Sequence, residues 1–277
     1  MKKIKIKNFS ISNSDPFCLI AGPCVIENRD HTMKMAELIH NICLELKLNY
    51  IFKASFDKAN RSSINSLRGV NLDEALEIFS EVKNNFNCPI ITDVHNENQC
   101  DIISKNNIVD IIQIPAFLSR QTDLLLAAGV SNKIVNVKKG QFLSPYDMPN
   151  IVDKIISTKN NKILLTERGV SFGYNNLVSD YRSLEIMKKL EFPVIFDATH
   201  SVQEPGGLGN KSGGKREFIP ALSKAAIAVG VAGLFIETHD DPENAPSDGP
   251  NMIKISDLKT LLKKLIDLDQ IAKNLKN

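Results

Sequence analysis

The stretch FCLIAGPCVIE, residues 17–27, sets the pattern from which the fold is predicted. Its apolar start is short enough for one buried strand, and a loop with Cys24 follows it. Open doubly wound sheets usually carry a glycine-rich turn of fixed spacing at this point, and AGPCVIE lacks that spacing. The stretch therefore favours a closed barrel, with an open doubly wound sheet as the structural alternative.

Short apolar runs like the one at Phe17 recur along the chain of 277 residues. Short runs rich in Ile, Val, Leu and Phe alternate with longer segments in which apolar residues have helical spacing, as Leu72, Leu76 and Phe79 do. The eight apolar runs start at Phe17, Tyr50, Pro89, Ile108, Lys133, Lys162, Pro193 and Val231. Eight strands alternating with eight helices predict parallel pairing and an α/β fold of the (β/α)8 TIM barrel type.

The N-terminal residues form a separate small pattern. Polar and apolar residues alternate from Lys3 to Ile11, which predicts a short β-hairpin that covers one end of the barrel. No composition shift or low-complexity tract marks a boundary further on. We therefore predict one TIM-barrel domain over 1–277, with the hairpin in 1–14 and the barrel in 15–277.

Composition limits the partners and the compartment. The 34 basic and 32 acidic residues nearly cancel, whereas nucleic-acid and membrane-surface proteins need a basic excess, so neither partner is expected. The basic N-terminus is followed by no apolar stretch of the kind found in signal peptides. The five cysteines are odd in number and form no C-x-x-C pair, which favours a reducing, cytoplasmic location.

Reactive residues follow the predicted strands, where the active face of a barrel forms. These strand-end residues include Cys24, Lys53, Asp93, Gln113, Lys138, Arg168, His200 and Glu237. Any one of them could be a surface residue or a satisfied core group. Their joint placement at successive strand ends predicts an active site at the carboxyl end of the barrel.

Basic residues predict an anion site within this face. Lys53, Lys58, Arg61, Lys138 and Arg168 would converge on the barrel mouth. Neutral donors are added by Ser55, Asn60, Ser62 and Ser63. Charge-assisted hydrogen bonds from such groups suit a ligand with several phosphate or carboxylate oxygens. In a chain with so many lysines, most of them are expected on the surface. Lys53 is an exception, because it directly follows the apolar YIF run and is therefore expected inside the barrel mouth.

A second group could bind a metal ion. Cys24, His200, Glu237 and Asp248 offer one thiolate, one imidazole and two carboxylates. This mixed set suits Zn2+, Fe2+ or Mn2+ better than Mg2+ or Ca2+, which prefer oxygen ligands. The four residues are scattered, so the pattern alone leaves open that Cys24 is a small core residue.

Long motifs identify a family resemblance over nearly the whole chain. The motifs are AGPCVIE, KASFDKANRSS, ITDVH, IQIPAFLSRQTDLL, NVKKGQF, ERGVSFGYNNLV, FDATHSVQ, SGGKREF and FIETHDDPENAPSDGP. Together they resemble the 3-deoxy-D-manno-octulosonate 8-phosphate synthases. The resemblance implies a (β/α)8 barrel with an N-terminal hairpin, a homotetramer, and condensation of phosphoenolpyruvate with D-arabinose 5-phosphate and water. The products would be the eight-carbon keto-sugar acid phosphate, a precursor of lipopolysaccharide, and inorganic phosphate.

The resemblance also implies roles for residues that match the family motifs. Positions that hold phosphoenolpyruvate match Lys53, Ser55, Lys58, Gln113, Lys138 and Arg168. Positions that hold the sugar phosphate match Asn60, Arg61 and Ser62, and Asp93 matches an acidic residue near the reacting centre. We assign catalytic roles to Asp93, His200, Lys58 and Asn60. The metal ligands of the metal-dependent branch match Cys24, His200, Glu237 and Asp248, and because the metal-free branch has Asn at the Cys24 position, a divalent Fe, Zn or Mn ion is implied.

Four rival functions can be separated by sequence features. The related synthase that uses erythrose 4-phosphate shares the barrel and a similar metal set, but typically has a Lys-Pro-Arg-Thr run in place of KANRSS, 58–63. Sialic-acid-type synthases usually carry a further C-terminal domain. Metal-dependent aldolases typically hold zinc through several histidines, and this chain has five, of which His31 and His40 fall in the first helical segment. A non-catalytic sugar-phosphate sensor would be expected to lose ligand residues that this chain keeps.

Overall fold

Eight parallel strands close into a barrel. The structure is a computed structural model that describes residues 1–61, 64–206 and 213–275. The barrel strands are β1 (Cys18–Gly22), β2 (Tyr50–Lys53), β3 (Ile90–Asp93), β4 (Ile111–Ile114), β5 (Ile134–Lys138), β6 (Ile163–Glu167), β7 (Val194–Asp197) and β8 (Gly233–His239). Each strand pairs in parallel with the next, and β8 pairs with β1, so the sheet has no free edge. This confirms the predicted (β/α)8 barrel.

A helix follows each strand and covers the outside of the barrel. The helices are α1 (Arg29–Leu46), α2 (Leu72–Phe86), α3 (Glu97–Ser104), α4 (Thr122–Val130), α5 (Met148–Ile156), α6 (Arg182–Lys188), α7 (Ile219–Val229) and α8 (Ile255–Asn274). Asn28, Asn71 and Asn96 cap α1, α2 and α3, each side chain accepting a hydrogen bond from a backbone N–H of the first turn. Ser144 caps a single 3-10 turn (Pro145–Asp147) before α5, its side chain accepting a hydrogen bond from the backbone N–H of Tyr146, and Pro145 is the first residue of the turn.

Shorter elements lie in the strand-to-helix connections, at the carboxyl end of the barrel. Antiparallel two-residue ladders join Val170–Ser171 to Leu177–Val178 and Gln203–Glu204 to Gly213–Gly214, and Ile253–Lys254 extends β8 in parallel. The remaining 3-10 turns are Ala116–Leu118, His200–Val202, Arg216–Phe218, Pro242–Asn244 and Gly249–Asn251. Within the described ranges, no helix combines the length and the apolarity needed to cross a bilayer.

The apolar core has two parts. A large cluster lies between the barrel and its helices, where residues such as Phe52 and Phe79 are fully buried. A smaller cluster fills the barrel interior with one residue from most strands, including Ile20, Ile51 and Phe235.

The N-terminal hairpin closes the amino-terminal end of the barrel. Its strands, Ile4–Ile6 and Phe9–Ile11, pair antiparallel. Ile4, Ile6 and Ile11 are buried against the cluster inside the barrel. The predicted covering hairpin is confirmed, and it leaves the opposite, carboxyl end of the barrel for the site.

Candidate active site

The carboxyl end of the barrel holds a cavity of about 700 Å³. The five predicted cationic residues all line it: Lys53, Lys58, Arg61, Lys138 and Arg168. The other predicted site residues on its wall are Asn60, Asp93, Gln113, His200 and Asp248. The barrel thus brings residues from seven of the eight strand ends, those of β2 to β8, to one mouth, as parallel strands allow.

Lys53 and Glu237 form a buried ion pair below the mouth. Lys53 Nζ lies 2.6 Å from Glu237 Oε1 and 3.0 Å from the carbonyl oxygen of Cys24, and both side chains are only 1% exposed. Burial alone would raise the pKa of Glu237, but Lys53 and His200 hold it below its usual value. Glu237 is therefore ionised at neutral pH.

Asp93 is the centre of a hydrogen-bond network that includes two predicted substrate ligands. Ser55 Oγ donates to Asp93 Oδ2, and Gln113 Nε2 donates to Oδ1. Lys58 Nζ lies 2.9 Å from Ser55 Oγ and 3.9 Å from Asp93 Oδ2. Burial would raise the pKa of Asp93, but Lys53 and Lys58 lower it well below the usual range. Asp93 is therefore an anion that orients donors.

The Asp93 network continues across the barrel wall. Asn136 Nδ2 donates to Gln113 Oε1 at 2.9 Å, and Thr166 Oγ1 donates to Asn136 Oδ1 at 2.6 Å. These residues lie on four adjacent strands, β3 to β6, with Asp93 paired to Gln113 and Gln113 to Asn136 in the strand register. The chain of hydrogen bonds fixes the amide of Gln113 so that its N–H group faces Asp93.

Asp197 links Lys138 to His200. Lys138 Nζ donates to Asp197 Oδ2, and His200 Nδ1 lies 2.8 Å from the same oxygen. Lys138 Nζ also sits 3.3 Å from the centroid of the Phe235 ring. Burial would raise the pKa of Asp197, but His200 and Lys138 lower it far below the usual range, and burial lowers the pKa of Lys138.

Gln203 connects Arg168 to Asp248. Arg168 Nη2 donates to Gln203 Oε1 at 2.8 Å and to the carbonyl oxygen of His200 at 2.9 Å. Gln203 Nε2 donates to Asp248 Oδ1, also at 2.8 Å. The arginine and the carboxylate are thereby held on opposite ends of one amide.

Three of the four predicted metal ligands form one cluster. One ligand atom from each of Cys24, Glu237 and Asp248 lies within 4.8 Å of the other two, and Cys24 Sγ is 3.2 Å from Asp248 Oδ2. His200 lies outside this trio, but its Nε2 is 3.6 Å from Glu237 Oε2. Among the described residues, Glu237 Oε2 is a buried oxygen without a hydrogen-bond donor, as expected for an atom placed to meet a cation.

The chemistry of these donors fits a divalent transition metal. Burial, followed by the nearby Glu237 carboxylate, raises the pKa of the Cys24 thiol far above its usual value. A buried thiol beside two carboxylates becomes a thiolate ligand only when a cation is bound. The set of thiolate, imidazole and carboxylates matches Zn2+, Fe2+ or Mn2+.

Arg61 lies at the outer edge of the mouth. Its Nη1 donates to Ser247 Oγ at 2.8 Å, its Nη2 to the carbonyl oxygen of Pro246 at 3.3 Å, and its Nε to the carbonyl oxygen of Leu67 at 2.9 Å. Asn60 is exposed beside it. Ser62, a predicted sugar-phosphate ligand, and the neighbouring Ser63 lie outside the described residues.

The structure adds two residues that were not assigned a role from sequence. Asp197 is visible in the sequence as a strand-end residue, because it ends β7 and precedes His200 by three residues in FDATH, but its pairing with Lys138 and His200 is not. Gln203 ends the motif FDATHSVQ, but its contacts with Arg168 and Asp248 depend on three loops meeting, and no local pattern encodes that meeting.

A (β/α)8-barrel enzyme with a cation-rich, carboxylate-bearing mouth is the class that fold and site define. The chain belongs to the DAHP synthetase I family, whose model matches residues 2–274. Its curated relatives include proteins named 2-dehydro-3-deoxyphosphooctonate aldolase. The Rickettsia bellii protein is 59% identical over 98% of both chains, and the Brucella anthropi protein is 56% identical over 98% of both. The Bartonella henselae protein is 55% identical over 98% of this chain and 96% of its own.

Proposed function

We propose that this enzyme condenses phosphoenolpyruvate with D-arabinose 5-phosphate and water. The products are 3-deoxy-D-manno-octulosonate 8-phosphate, an intermediate of lipopolysaccharide biosynthesis, and inorganic phosphate. The proposal is supported by relatives that share 55–59% identity over nearly the full chain and carry the name of this activity. The family model alone would not separate it from the synthase that uses erythrose 4-phosphate.

The observation that carries the proposal is the convergence of five cationic side chains on one cavity. Phosphoenolpyruvate brings a carboxylate and a phosphate, and the sugar brings a second phosphate. Lys53, Lys138 and Arg168 line the inner part of the cavity with buried side chains. We assign phosphoenolpyruvate to these three residues together with Ser55, Lys58 and Gln113.

The sugar phosphate is assigned to the outer edge. Arg61 is half-buried there and is held by the 246–247 segment. Asn60 lies beside it, and Ser62 follows in the same KANRSS segment. The aldehyde would then point inward, toward Asp93 and the deeper anion site.

The reaction joins C3 of phosphoenolpyruvate to the aldehyde carbon of the sugar. Water adds to C2, and the C2–O bond to phosphate breaks, so the leaving phosphate takes the electron pair of that bond. Lys138 and Arg168 hold the charge that moves onto phosphate.

Lys58 Nζ lies 2.9 Å from Ser55 Oγ on the cavity wall. Burial lowers the pKa of Lys58, but nearby anionic groups, among them the carboxylates of Glu237 and Asp93, raise it by more, so Lys58 is held as a cation. We assign to it the donation of a proton to the new alkoxide, and the water that adds to C2 returns a proton to it.

Cys24, His200, Glu237 and Asp248 would hold the divalent metal ion. When bound, such an ion supplies Lewis-acid chemistry, lowering the pKa of water or orienting the aldehyde. Asp197 accepts from the Nδ1 side of His200 and leaves Nε2 directed toward Glu237, which is the orientation that a metal-ligating histidine needs.

Phosphate release with two alternative sugars tests the function. The protein is assayed with phosphoenolpyruvate plus arabinose 5-phosphate and, separately, plus erythrose 4-phosphate. We expect turnover with the five-carbon sugar and at least about 100-fold lower kcat/KM with the four-carbon sugar. Equal or faster turnover with erythrose 4-phosphate would assign the rival function instead.

Assembly and compartment are further parts of the proposal. We propose that 1–277 acts as one domain, in a homotetramer, in the cytoplasm. Exposed aromatic residues in three neighbouring strand-to-helix loops, Phe117, Phe142 and Phe172, support an interface at this face. The five cysteines are free and buried, which suits a reducing compartment. Light scattering should give four times the chain mass of 30.8 kDa, and a monomeric mass would contradict the tetramer.

A further inference from the structure

Two histidines and two acidic residues form a separate cluster beside the mouth. Glu27 follows β1, His31 lies in the first turn of α1, and His239 and Asp240 lie at the end of β8. None of these four is among the described residues that line the cavity. The cluster therefore needs an explanation of its own.

The two imidazole rings present one nitrogen each to Glu27. His239 Nε2 is 2.6 Å from Glu27 Oε1, and His31 Nδ1 is 3.8 Å from the same oxygen. One ligand atom from each of Glu27, His31 and His239 lies within 4.8 Å of the other two. The ring centroids are 4.5 Å apart, so one small ion could reach both rings and the carboxylate.

The opposite nitrogens both face a single oxygen of Asp240. His31 Nε2 is 3.1 Å and His239 Nδ1 is 3.2 Å from Asp240 Oδ1. Lys34 Nζ lies 2.7 Å from the other oxygen of Asp240. Burial would raise the pKa of Asp240, but Lys34 and His31 lower it far below its usual range. Asp240 is thus an ionised acceptor between the two rings.

In this arrangement, His31 Nδ1 is a buried ring nitrogen that makes no hydrogen bond to the described residues. A buried imidazole nitrogen without a partner is unfavourable unless something binds its lone pair. The Asp240 contact favours the proton of His31 on Nε2, so the free lone pair of Nδ1 points toward Glu27.

We propose that His31 Nδ1, His239 Nε2 and Glu27 Oε1 bind a second divalent transition-metal ion, such as Zn2+. Two imidazoles and one carboxylate are a common donor set for this class of cation. Asp240 orients both rings from behind, which is the usual arrangement for ligating histidines. A water molecule would supply a fourth ligand, since Zn2+ is usually four-coordinate.

Metal binding changes the tautomer of His239 without changing its charge. In the metal-free protein, the backbone N–H of Asp241 donates to His239 Nδ1 at 2.9 Å and the proton of the ring lies on Nε2, toward Glu27. The same N–H is 3.2 Å from Asp240 Oδ1 and donates there in the loaded protein. The ring proton then lies on Nδ1, directed at Asp240, and Nε2 is free to ligate.

The ion would join two of the chain segments that supply the deeper ligand set, those of Cys24 and Glu237. Glu27 comes three residues after Cys24, and His239 comes two residues after Glu237. A bond network through Glu27, the ion and His239 would fix the spacing of these segments. The role of the second ion is therefore structural, and it does not depend on which sugar the enzyme uses.

Zn2+ stoichiometry separates this site from the deeper one. Protein freed of metal by chelation is dialysed against Zn2+, and bound Zn2+ is counted per chain. Cys24→Ser removes the thiolate ligand of the deeper site and should still bind one Zn2+ per chain. Adding His31→Ala to Cys24→Ser should remove that ion. Adding His40→Ala instead should leave it bound, because His40 lies further along α1 and packs against Phe86 of α2.

A spectroscopic readout guards against misfolding of a variant. Co2+ bound to the Cys24→Ser protein should show d–d absorption without a thiolate charge-transfer band, and His31→Ala should remove it. Glu27→Gln, a milder change, should weaken Zn2+ binding by at least about tenfold while circular dichroism stays unchanged. The proposal is overturned if the Cys24→Ser protein binds no Zn2+, or binds it equally well with and without His31.

Discussion

Lys53 Nζ and Glu237 Oε1 lie 2.6 Å apart at the base of the active-site mouth, with both side chains fully buried. The pair joins a residue assigned to phosphoenolpyruvate with a residue assigned to the metal ion. Neither charge has water to stabilise it when the other is absent. Substrate binding and metal binding therefore share one electrostatic element.

Removal of either partner should destabilise the metal-free protein. Lys53→Met removes the cation bonded to the buried Glu237 carboxylate and leaves the His200 ring, 3.6 Å away, as its neighbour. We expect a loss of about 3–5 kcal/mol in the free energy of unfolding. Glu237→Gln should have a similar effect. The double variant should lose much less than the sum of the two single losses, because it buries no isolated charge.

Urea denaturation followed by circular dichroism measures these changes. Lys105→Met is the matched control, because its ion pair with Asp101 is largely exposed and should contribute less than about 1 kcal/mol. Strictly additive losses for Lys53→Met and Glu237→Gln would contradict the pairing.

The fold could be predicted because each strand is a local apolar run. The run KILLTE contains β6 (Ile163–Glu167), and PVIFDAT contains β7 (Val194–Asp197). The IVDIIQIP run begins at Ile108, but β4 begins at Ile111. Asp110 accounts for this difference, since its carboxylate accepts from Lys83 and from the backbone N–H of Ile90, and no local pattern encodes that tertiary contact.

The candidate site could be predicted by position but not by pairing. Lys53 and Lys138 could be assigned to the site from the sequence, because each ends a predicted strand and the strand-to-helix loops of a barrel meet at one face. That Lys138 would pair with Asp197 depends on β7 lying two strands away from β5, next to β6, in the closed barrel. The meeting of His31 with His239 is of the same kind, because α1 and the end of β8 are neighbours only in the closed barrel.

Loss of the Cys24 thiolate should remove metal and activity together. Loss of a residue that only orients a metal ligand typically lowers activity by roughly 10- to 100-fold. Cys24→Ser removes a ligand itself, so it should lower activity by more than that. Chelation of the unmodified protein should do the same, and added Zn2+, Fe2+ or Mn2+ should restore activity. Full activity after chelation, with metal content confirmed as negligible by mass spectrometry, would exclude a metal-dependent reaction.

Gln203 should support metal binding although it is not a ligand. Its amide donates to Asp248 Oδ1 and accepts from Arg168. Gln203→Leu therefore removes one hydrogen bond from the Asp248 carboxylate and one from the Arg168 guanidinium. We expect metal affinity to fall by about 10- to 100-fold and KM for phosphoenolpyruvate to rise. Gln270→Leu on the exposed side of α8 is the control. Unchanged metal affinity in Gln203→Leu would show that Asp248 is oriented without the amide.

Asp93 should make stability depend on pH in the acid range. Its pKa is held below the usual value of about 3.9 by Lys53 and Lys58, against the effect of burial. The ionised carboxylate therefore stabilises the fold above about pH 4, and this contribution is lost as pH falls toward the folded pKa. The Asp93→Asn variant has no ionisable group at this position. Its free energy of unfolding should therefore fall furthest below that of the unmodified protein at neutral pH, and the difference should shrink as the pH is lowered through 4. A difference that stays constant over this range would contradict the assignment.

Arg61 should discriminate between the two substrates. Its guanidinium is held at the mouth by Ser247 and Pro246, in the segment assigned to the sugar phosphate. Loss of a charge-assisted contact worth about 1.5–3 kcal/mol should raise KM for arabinose 5-phosphate by about 10- to 150-fold in Arg61→Ala. KM for phosphoenolpyruvate should change far less, because Lys138 and Arg168 remain in place.

Arg68→Ala is the matched control for that variant. Arg68 belongs to the same loop, but it is exposed and its guanidinium pairs with Asp57, so both KM values should stay near those of the unmodified enzyme. Steady-state kinetics with each substrate varied in turn distinguishes the cases. Equal increases in both KM values for Arg61→Ala would mean that the arginine shapes the whole mouth, and the division of the 53–63 segment into two substrate sites would have to be abandoned.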